Sequence, residues 1–239
     1  THILVNSPAY KEYIESKGIA KEKISFIPYG ADIDMFKPDV EPSQIRQELN
    51  LKNKFLVLYT GAMGQANDIY TILRAADRLK DHEKICFVLF GDGKEKRNLQ
   101  AKAQKFRLDN VIFAGVRPKH DIPSIVASAD VCLAILQDIP MFRTTYPNKV
   151  FDYMAAGKAT ALVIDGVIRK VIEESQGGVY VSPGDDQQLA EVLLDLSNDT
   201  TRLSQMGENS RRYLVQNLDR ENMLTQTREL FNQLLAEKR

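Results

Sequence analysis

Residues 55–91 read FLVLYTGAMGQANDIYTILRAADRLKDHEKICFVLFG. FLVLYT is an unbroken apolar run closed by glycine, and ICFVLFG repeats the pattern. Between them Ile69, Ile72, Leu73, Ala76 and Leu79 recur at helical spacing and mark one buried face. A strand that is apolar at every position must be covered on both sides, as in a parallel sheet sandwiched by helices. The same alternation runs onward. A charged helix follows Gly91, then NVIFAG (110–115), a helix from about His120 to Ser128, and DVCLAIL (130–136). TTYPNKVFDYMAAGKATA (144–161) supplies loop, short helix and Gly turn, with Pro147 suited to the first turn and Gly157 as the stop. ATALVI (159–164), a helix around Val167 to Glu174, Gly177-Gly178, VYVSP (179–183) and a helix bearing Leu189, Val192, Leu193 and Leu196 complete the series. The fold class predicted is α/β, a Rossmann-like parallel sheet with helices on both faces. From Thr200 the chain reads as helical to its end, and no internal repeat or low-complexity tract interrupts it.

Ahead of this unit, His2 to Asn6 predicts a strand, Ser7 an N-cap, and Pro8 to Lys17 a helix stopped by Gly18. ISFIPYG (24–30) predicts a second strand running into a turn, and ADIDMFKPDVEPS (31–43) an irregular linker. The chain opens at Thr1 directly on a strand, which reads as a piece cut from a longer protein.

With 239 residues, 44% hydrophobic and 27% charged, the chain is long enough to bury a large core. Thirty-two basic residues balance thirty-two acidic ones, so no net field favours nucleic acid or an anionic membrane; any anion site must be local. Cys86 and Cys132 both fall in apolar strands and read as inert core thiols of a reduced, cytoplasmic protein. Neither a transmembrane run nor a signal peptide is evident. His2, His82 and His120 are scattered without Cys or carboxylate at ligand spacing, so no metal site is predicted.

In an open parallel sheet, ligands bind outside the carboxyl ends of the strands. Four strand-end turns are chemically distinctive. Gly61-Ala62-Met63-Gly64 lets a backbone approach a ligand, though a GxxG alone is more often a plain tight turn. Gly91-Asp92-Gly93 carries the same ambiguity and does not extend to a dinucleotide fingerprint. Gly115-Val116-Arg117-Pro118-Lys119-His120 could read a base edge through its backbone or be a solvated basic loop. The fourth is the helix start at 144–152: unpaired N–H groups and a positive dipole end suit a diphosphate, Lys149 adds mobile positive charge, and Asp152 lies one turn further in, within reach of a sugar hydroxyl. Glu173-Glu174 and Asp185-Asp186 sit at helix ends and read as solvated or capping, while Met141 and Phe142 either pack locally or line a pocket. There is no GxSxG elbow and no GxxxxGK[ST] loop.

SPAYKEYIESKGIAKEKISFIPYGADIDMFKPD, YTGAMGQANDIYTILRAA, FVLFGDGKEKRNLQ, NVIFAGVRPKHDIPSIVASADVCLAIL, PNKVFDYMAAGKA and SPGDDQQLAEVL together resemble, in order and spacing, the retaining GT-B glycosyltransferases of family 4. The resemblance spans essentially the whole chain. It implies that residues 1–40 are the end of an N-terminal domain and the interdomain linker, 41–215 the donor-binding Rossmann-like domain, and 216–239 a helix crossing back to an N-terminal Rossmann domain missing from this chain. The donor in that family is a nucleotide diphosphate-sugar. Its signature of two glutamates eight positions apart falls here on Thr144 and Asp152: Asp152 keeps the acceptor role toward the ribose, and Thr144 departs from the usual sugar contact. The family's phosphate-clamping Arg and Lys fall on Ala62 and Asn67, so that clamp is absent.

Lys149, Arg143 and the amides of Thr145, Tyr146, Pro147 and Asn148 are the replacements expected. Gly61, Gly64, Gly91, Asp92, Gly93, Val116 and Arg117 complete the nucleotide-sugar site implied. The subgroup resembled uses UDP-linked N-acetylamino sugars for surface polysaccharide, which favours uridine and a glycan or lipid-linked acceptor. Retaining transfer of this kind needs neither cofactor nor metal. Catalytic residues are expected partly in the missing domain, so the fragment is expected to bind without turnover. Localisation would be cytoplasmic, with peripheral association at the inner membrane face for the whole protein. Rival readings are a nucleotide-sugar binding module without activity, a GT-B-fold nucleotide-sugar epimerase and, weakest, a nicotinamide dehydrogenase.

Overall fold

The computed structural model describes residues 1–236. Strands β1 (Ile3–Val5) and β2 (Ile24–Phe26) pair in parallel, with helix α1 (Pro8–Ser16) between them. After a linker that includes α2 (Ile45–Glu48), the chain alternates β3 (Phe55–Thr60), α3 (Ile69–Arg78), β4 (Ile85–Phe90), α4 (Lys96–Phe106), β5 (Val111–Gly115), α5 (Ile122–Ala127), β6 (Val131–Ile135), α6 (Asn148–Ala155), β7 (Ala159–Val163), α7 (Val167–Ser175) and β8 (Gly178–Tyr180). Helices α8 (Asp186–Ser197), α9 (Thr200–Asn217) and α10 (Arg220–Ala236) follow.

The second sheet has six parallel strands in the order β5-β4-β3-β6-β7-β8. The chain winds outward from β3 to β5, then returns to place β6 on the other side of β3. Connections leaving these two neighbours diverge to opposite faces and open a crevice at their carboxyl ends.

The unbroken hydrophobicity of the strands resolves into two alternating sets. Leu56, Leu58, Cys86, Val88, Cys132 and Leu162 face α5, α6, α7 and α9. Val57, Tyr59, Phe87, Leu89, Leu133 and Val163 face α3, α4 and α8. The four central strands β3, β4, β6 and β7 are buried on both sides because each face has its own helical layer, while the edge strands β5 and β8 are half-buried. Both thiols are core groups, as expected; burial pushes Cys86 up to about 11 and Cys132 up to about 12.

Several local expectations are corrected. The strand in ISFIPYG ends at Phe26, because Pro28 cannot extend a ladder whose last bond is Ile27 N–H to the Val5 carbonyl (3.0 Å). The C-terminal helix is broken at Leu218-Asp219, where the Ala31 amide donates to the Leu218 carbonyl and the Arg220 amide to the Ala31 carbonyl, each at 3.0 Å. The last three residues of the segment 216–239 lie outside the described residues. Asp185 does cap α8, but Asp186 is buried and holds Arg74 (3.0 Å) and Arg78 (2.5 Å) of α3. Ser7 stands at the N-cap position of α1 with extended backbone, yet its hydroxyl makes no cap bond and donates to the Thr144 carbonyl at 2.5 Å. Among the described residues no helix is long and apolar enough to cross a membrane.

Candidate functional site

The crevice between β3 and β6 is built from the turn after β3, the segment between β6 and α6, and the start of α6. Gly61 takes φ +147 and Gly91 φ +140, conformations that suit glycine alone. A Cβ on Gly91 would collide with the Gly61 carbonyl, and one on Gly93 with the Met63 backbone. Gly91 and Gly93 therefore lack side chains because two strand-end turns lie directly on one another, laced by Met63 N–H to the Asp92 carbonyl (2.8 Å) and Glu95 N–H to the Met63 carbonyl (3.0 Å). The Asp92 side chain accepts from the Gly93 amide at 2.8 Å and pairs loosely with Lys96. A Cβ on Gly64 would meet only Asn67 Oδ1, in ordinary contact at 3.8 Å.

Gly61 has a different neighbour. A Cβ there would collide with the Lys149 ammonium. Lys149, in the first turn of α6, runs across the crevice to place Nζ 4.2 Å from the centre of the Tyr59 ring. That ring is fully buried, and its hydroxyl donates to the Ala62 carbonyl at 2.7 Å, so one residue supports both the lysine and the Gly61–Gly64 turn. Nζ itself is shielded from solvent and has no hydrogen-bond partner among the described residues. Burial pulls its pKa down to about 8. The positive charge expected to be mobile is instead sequestered. An unpaired buried ammonium is costly, and an anion entering the crevice would supply the missing partner.

Asp152 lies one turn deeper in α6. Burial raises its pKa to about 6, against the lowering influence of Arg220 and Lys119 and with Asp32 opposing them. Arg220, the first residue of α10, is thereby brought to the site from 68 positions away along the chain, and Asp32 lies 3.8 Å from it. No short-range pattern in the sequence signals either.

The other candidates divide. Pro147 is the N-cap of α6 rather than a first-turn residue, with φ −71 and ψ 118, so the free end of the helix begins at Asn148. The Thr145 amide is already bonded to the Phe142 carbonyl (3.1 Å), and Pro147 has none to give. Among the described residues the amides of Tyr146, Asn148 and Lys149 have no such acceptor. Arg143 pairs with Asp138 at 2.8 Å, so its guanidinium is committed to a neighbouring carboxylate. The Thr144 hydroxyl turns back to the Met141 carbonyl (2.6 Å). Arg117 reaches Glu48 of α2 at 3.1 Å, while Val116 is 67% exposed on the rim. Tyr146 packs edge-on against Phe151 of α6, with ring centres 5.4 Å apart. Met141 is exposed, and among the described residues no cluster of three or more His, Cys, Asp or Glu side chains could hold a metal ion.

A separate apolar hollow of about 580 Å³ is lined by Leu4, Tyr10, Tyr13, Ile27, Tyr29 and Leu224. It belongs to β1, β2, α1 and α10 rather than to the strand ends that carry the polar groups above.

Strand order, glycine turns and a buried cation beside a helix start define a doubly wound domain with a crevice suited to an anion. The model of the family described as glycosyl transferases group 1 matches residues 41–213, and the chain belongs to that family. It is similar to WcaI of Escherichia coli K12, assigned to colanic acid biosynthesis as a glycosyl transferase: identity is 27%, covering 88% of this chain and 52% of WcaI. It is also similar to α-galactosylglucosyldiacylglycerol synthase of Streptococcus pneumoniae, 24% identical over 88% of this chain and 55% of that protein. Among solved structures, Anabaena HepE in complex with UDP and glucose superposes with a TM-score of 0.85 at 22% identity, over 97% of this chain and 62% of that one. The chain spans about half the length of the curated relatives it matches. The GT-B fold is thus shared with structures too distant in sequence to carry more than the fold.

Proposed function

We propose that this chain is the donor-binding part of a retaining glycosyltransferase that takes a UDP-linked sugar and transfers it to a glycan or lipid-linked acceptor. One observation carries the reading: the solvent-shielded, unpartnered ammonium of Lys149, aimed at the Gly61 turn and set in the first turn of α6. Lys149 and the unaccepted amides of Asn148 and Lys149 would hold the diphosphate and stabilise the charge that grows on it as the glycosidic bond breaks. Asp152, ionised, would accept from the ribose hydroxyls. The Gly115-Val116-Arg117 backbone would meet the base, and the 143–145 turn the sugar. Uridine is favoured by the resemblance of PNKVFDYMAAGKA to transferases of UDP-N-acetylamino sugars, and the ligands named for HepE agree with it. Residues 1–40 and 216–239 would belong with an N-terminal domain. The apolar hollow beside β1 is the surface such a domain would cover, and it would bring acceptor and catalytic groups that this chain lacks. The whole protein would work in the cytoplasm at the inner membrane face.

A second reading is a nucleotide-sugar binding module without turnover. Thr144 and Arg143 favour it, because both bond within their own loop rather than standing free for a sugar.

Calorimetric titration of the folded chain with UDP, GDP and ADP tests the donor site. UDP is expected to bind most tightly, and Lys149→Ala and Asp152→Ala to weaken it. Failure of all three nucleotides to bind would sink the reading. Transfer or donor hydrolysis by the full-length protein separates enzyme from binding module.

A further inference from the structure

The segment between β6 and α6 is held from outside its own layer. Ser7, 1% exposed, donates its hydroxyl to the Thr144 carbonyl at 2.5 Å across 137 positions of sequence. Its oxygen accepts no bond from the amides of α1, although Ser7 stands at that helix's N-cap position. The one hydrogen bond of its side chain among the described residues therefore ties α1 to the segment before α6. A second contact falls two residues from the first. Phe26, the last residue of β2, meets Tyr146 edge-on with ring centres 6.2 Å apart, and Tyr146 in turn abuts Phe151 of α6. From the far side, a Cβ on Gly166 would collide with the Arg143 backbone, so the turn before α7 backs the same segment. The β1-β2 unit thus grips residues 144–146 at two points, one polar and one aromatic, and both lead into α6.

We infer that Ser7 and Phe26 are positioning residues: they clasp residues 144–146 and set where the sugar-side turn stands relative to Lys149 and Asp152. The inference rests on the donor reading for its consequence and on geometry alone for the clasp. Neither side chain has a place in the nucleotide half of the site. Loss of the clasp therefore frees the turn while leaving Gly61, Lys149 and Asp152 as they are.

Two measurements on the chain test this separately. Trypsin cleaves after Arg143, in the clasped turn. Ser7→Ala and Phe26→Leu are each expected to speed cleavage at Arg143-Thr144 by about tenfold, the scale of one lost buried contact, and Ser7→Thr to restore the slow rate. In calorimetry, Ser7→Ala is expected to keep UDP affinity within about twofold while UDP-N-acetylglucosamine affinity drops several-fold. Unchanged cleavage in both variants overturns the clasp. Equal loss of affinity for UDP and UDP-N-acetylglucosamine overturns its positioning role and leaves Ser7 a structural residue. If the unaltered, folded chain binds no UDP, the donor reading falls, and cleavage at Arg143 still decides whether the clasp exists.

Discussion

At the scale of single residues, Lys149 sets a stability cost against a proposed function. Its pKa falls from 10.5 to about 8 on folding, which corresponds to about 3 kcal/mol against the charged form. Below pH 8 the lysine is charged in both folded and unfolded chains, so that cost is fully present; it fades as pH rises from 8 toward the unfolded value. Lys149→Met is accordingly expected to raise the melting temperature at pH 7 and to leave it nearly unchanged near pH 10.5, while UDP affinity falls at least tenfold. Thermal scans at the two pH values with one titration check both halves; a variant that loses stability would contradict the assignment of an unpaired cation. Asp152 sets the acid side. With its pKa raised to about 6, UDP affinity is expected to climb as pH rises through 6 and the carboxylate ionises. Asp152→Asn should bind weakly and flatten that rise. Together the two groups define a window of best binding between about pH 6 and 8, measurable by titration at successive pH values.

Secondary elements act here mainly through their ends. The glycines after β3 and β4 were visible as turn residues, but their reason was not: Gly91 admits no Cβ because the Gly61 carbonyl of the adjacent turn occupies its place. Gly91→Ala combines that collision with φ +140, and it is expected to lower the unfolding free energy by roughly 2 to 4 kcal/mol. Urea denaturation is the check, and a loss below about 1 kcal/mol would mean the two turns separate easily. The alternation of strands and helices was legible throughout 55–197 because hydrophobic period is a local property. Element ends were less so. α5 begins at Ile122 rather than His120, after a tighter turn at Lys119–Asp121, and α9 stops at Asn217 because the linker bonds to Leu218.

For the molecule as a whole, the linker between the two sheets is fastened rather than loose. Arg211 of α9 donates from a single Nη1 to the carbonyls of Ile33 (3.0 Å), Phe36 (3.0 Å) and Ala155 (2.8 Å). A Cβ on Gly30, where φ is +62, would collide with the Leu218 carbonyl. Arg211→Ala leaves three carbonyls without that donor and is expected to cost roughly 2 to 4 kcal/mol in stability, measured by denaturant unfolding. UDP affinity should change little, since Arg211 serves the linker and not the crevice. The same crossing brings Arg220 toward Asp152, so the position of α10 and the acidity of the proposed ribose acceptor are physically joined.

Sequence alone determined the α/β class, the parallel sheet and the strand-end turns, since each is written in local hydrophobic period and in Gly and Pro at fixed offsets. It also singled out Lys149 and Asp152, through their spacing from a helix start. Only the tertiary structure decided what surrounds them. The burial of Lys149 Nζ under Tyr59, the commitment of Arg143 to Asp138, the approach of Arg220 and the turning of Ser7 away from its own helix all depend on partners brought together by folding. Desolvation and hydrogen-bond choice follow from such packing, and packing is a property of the whole chain.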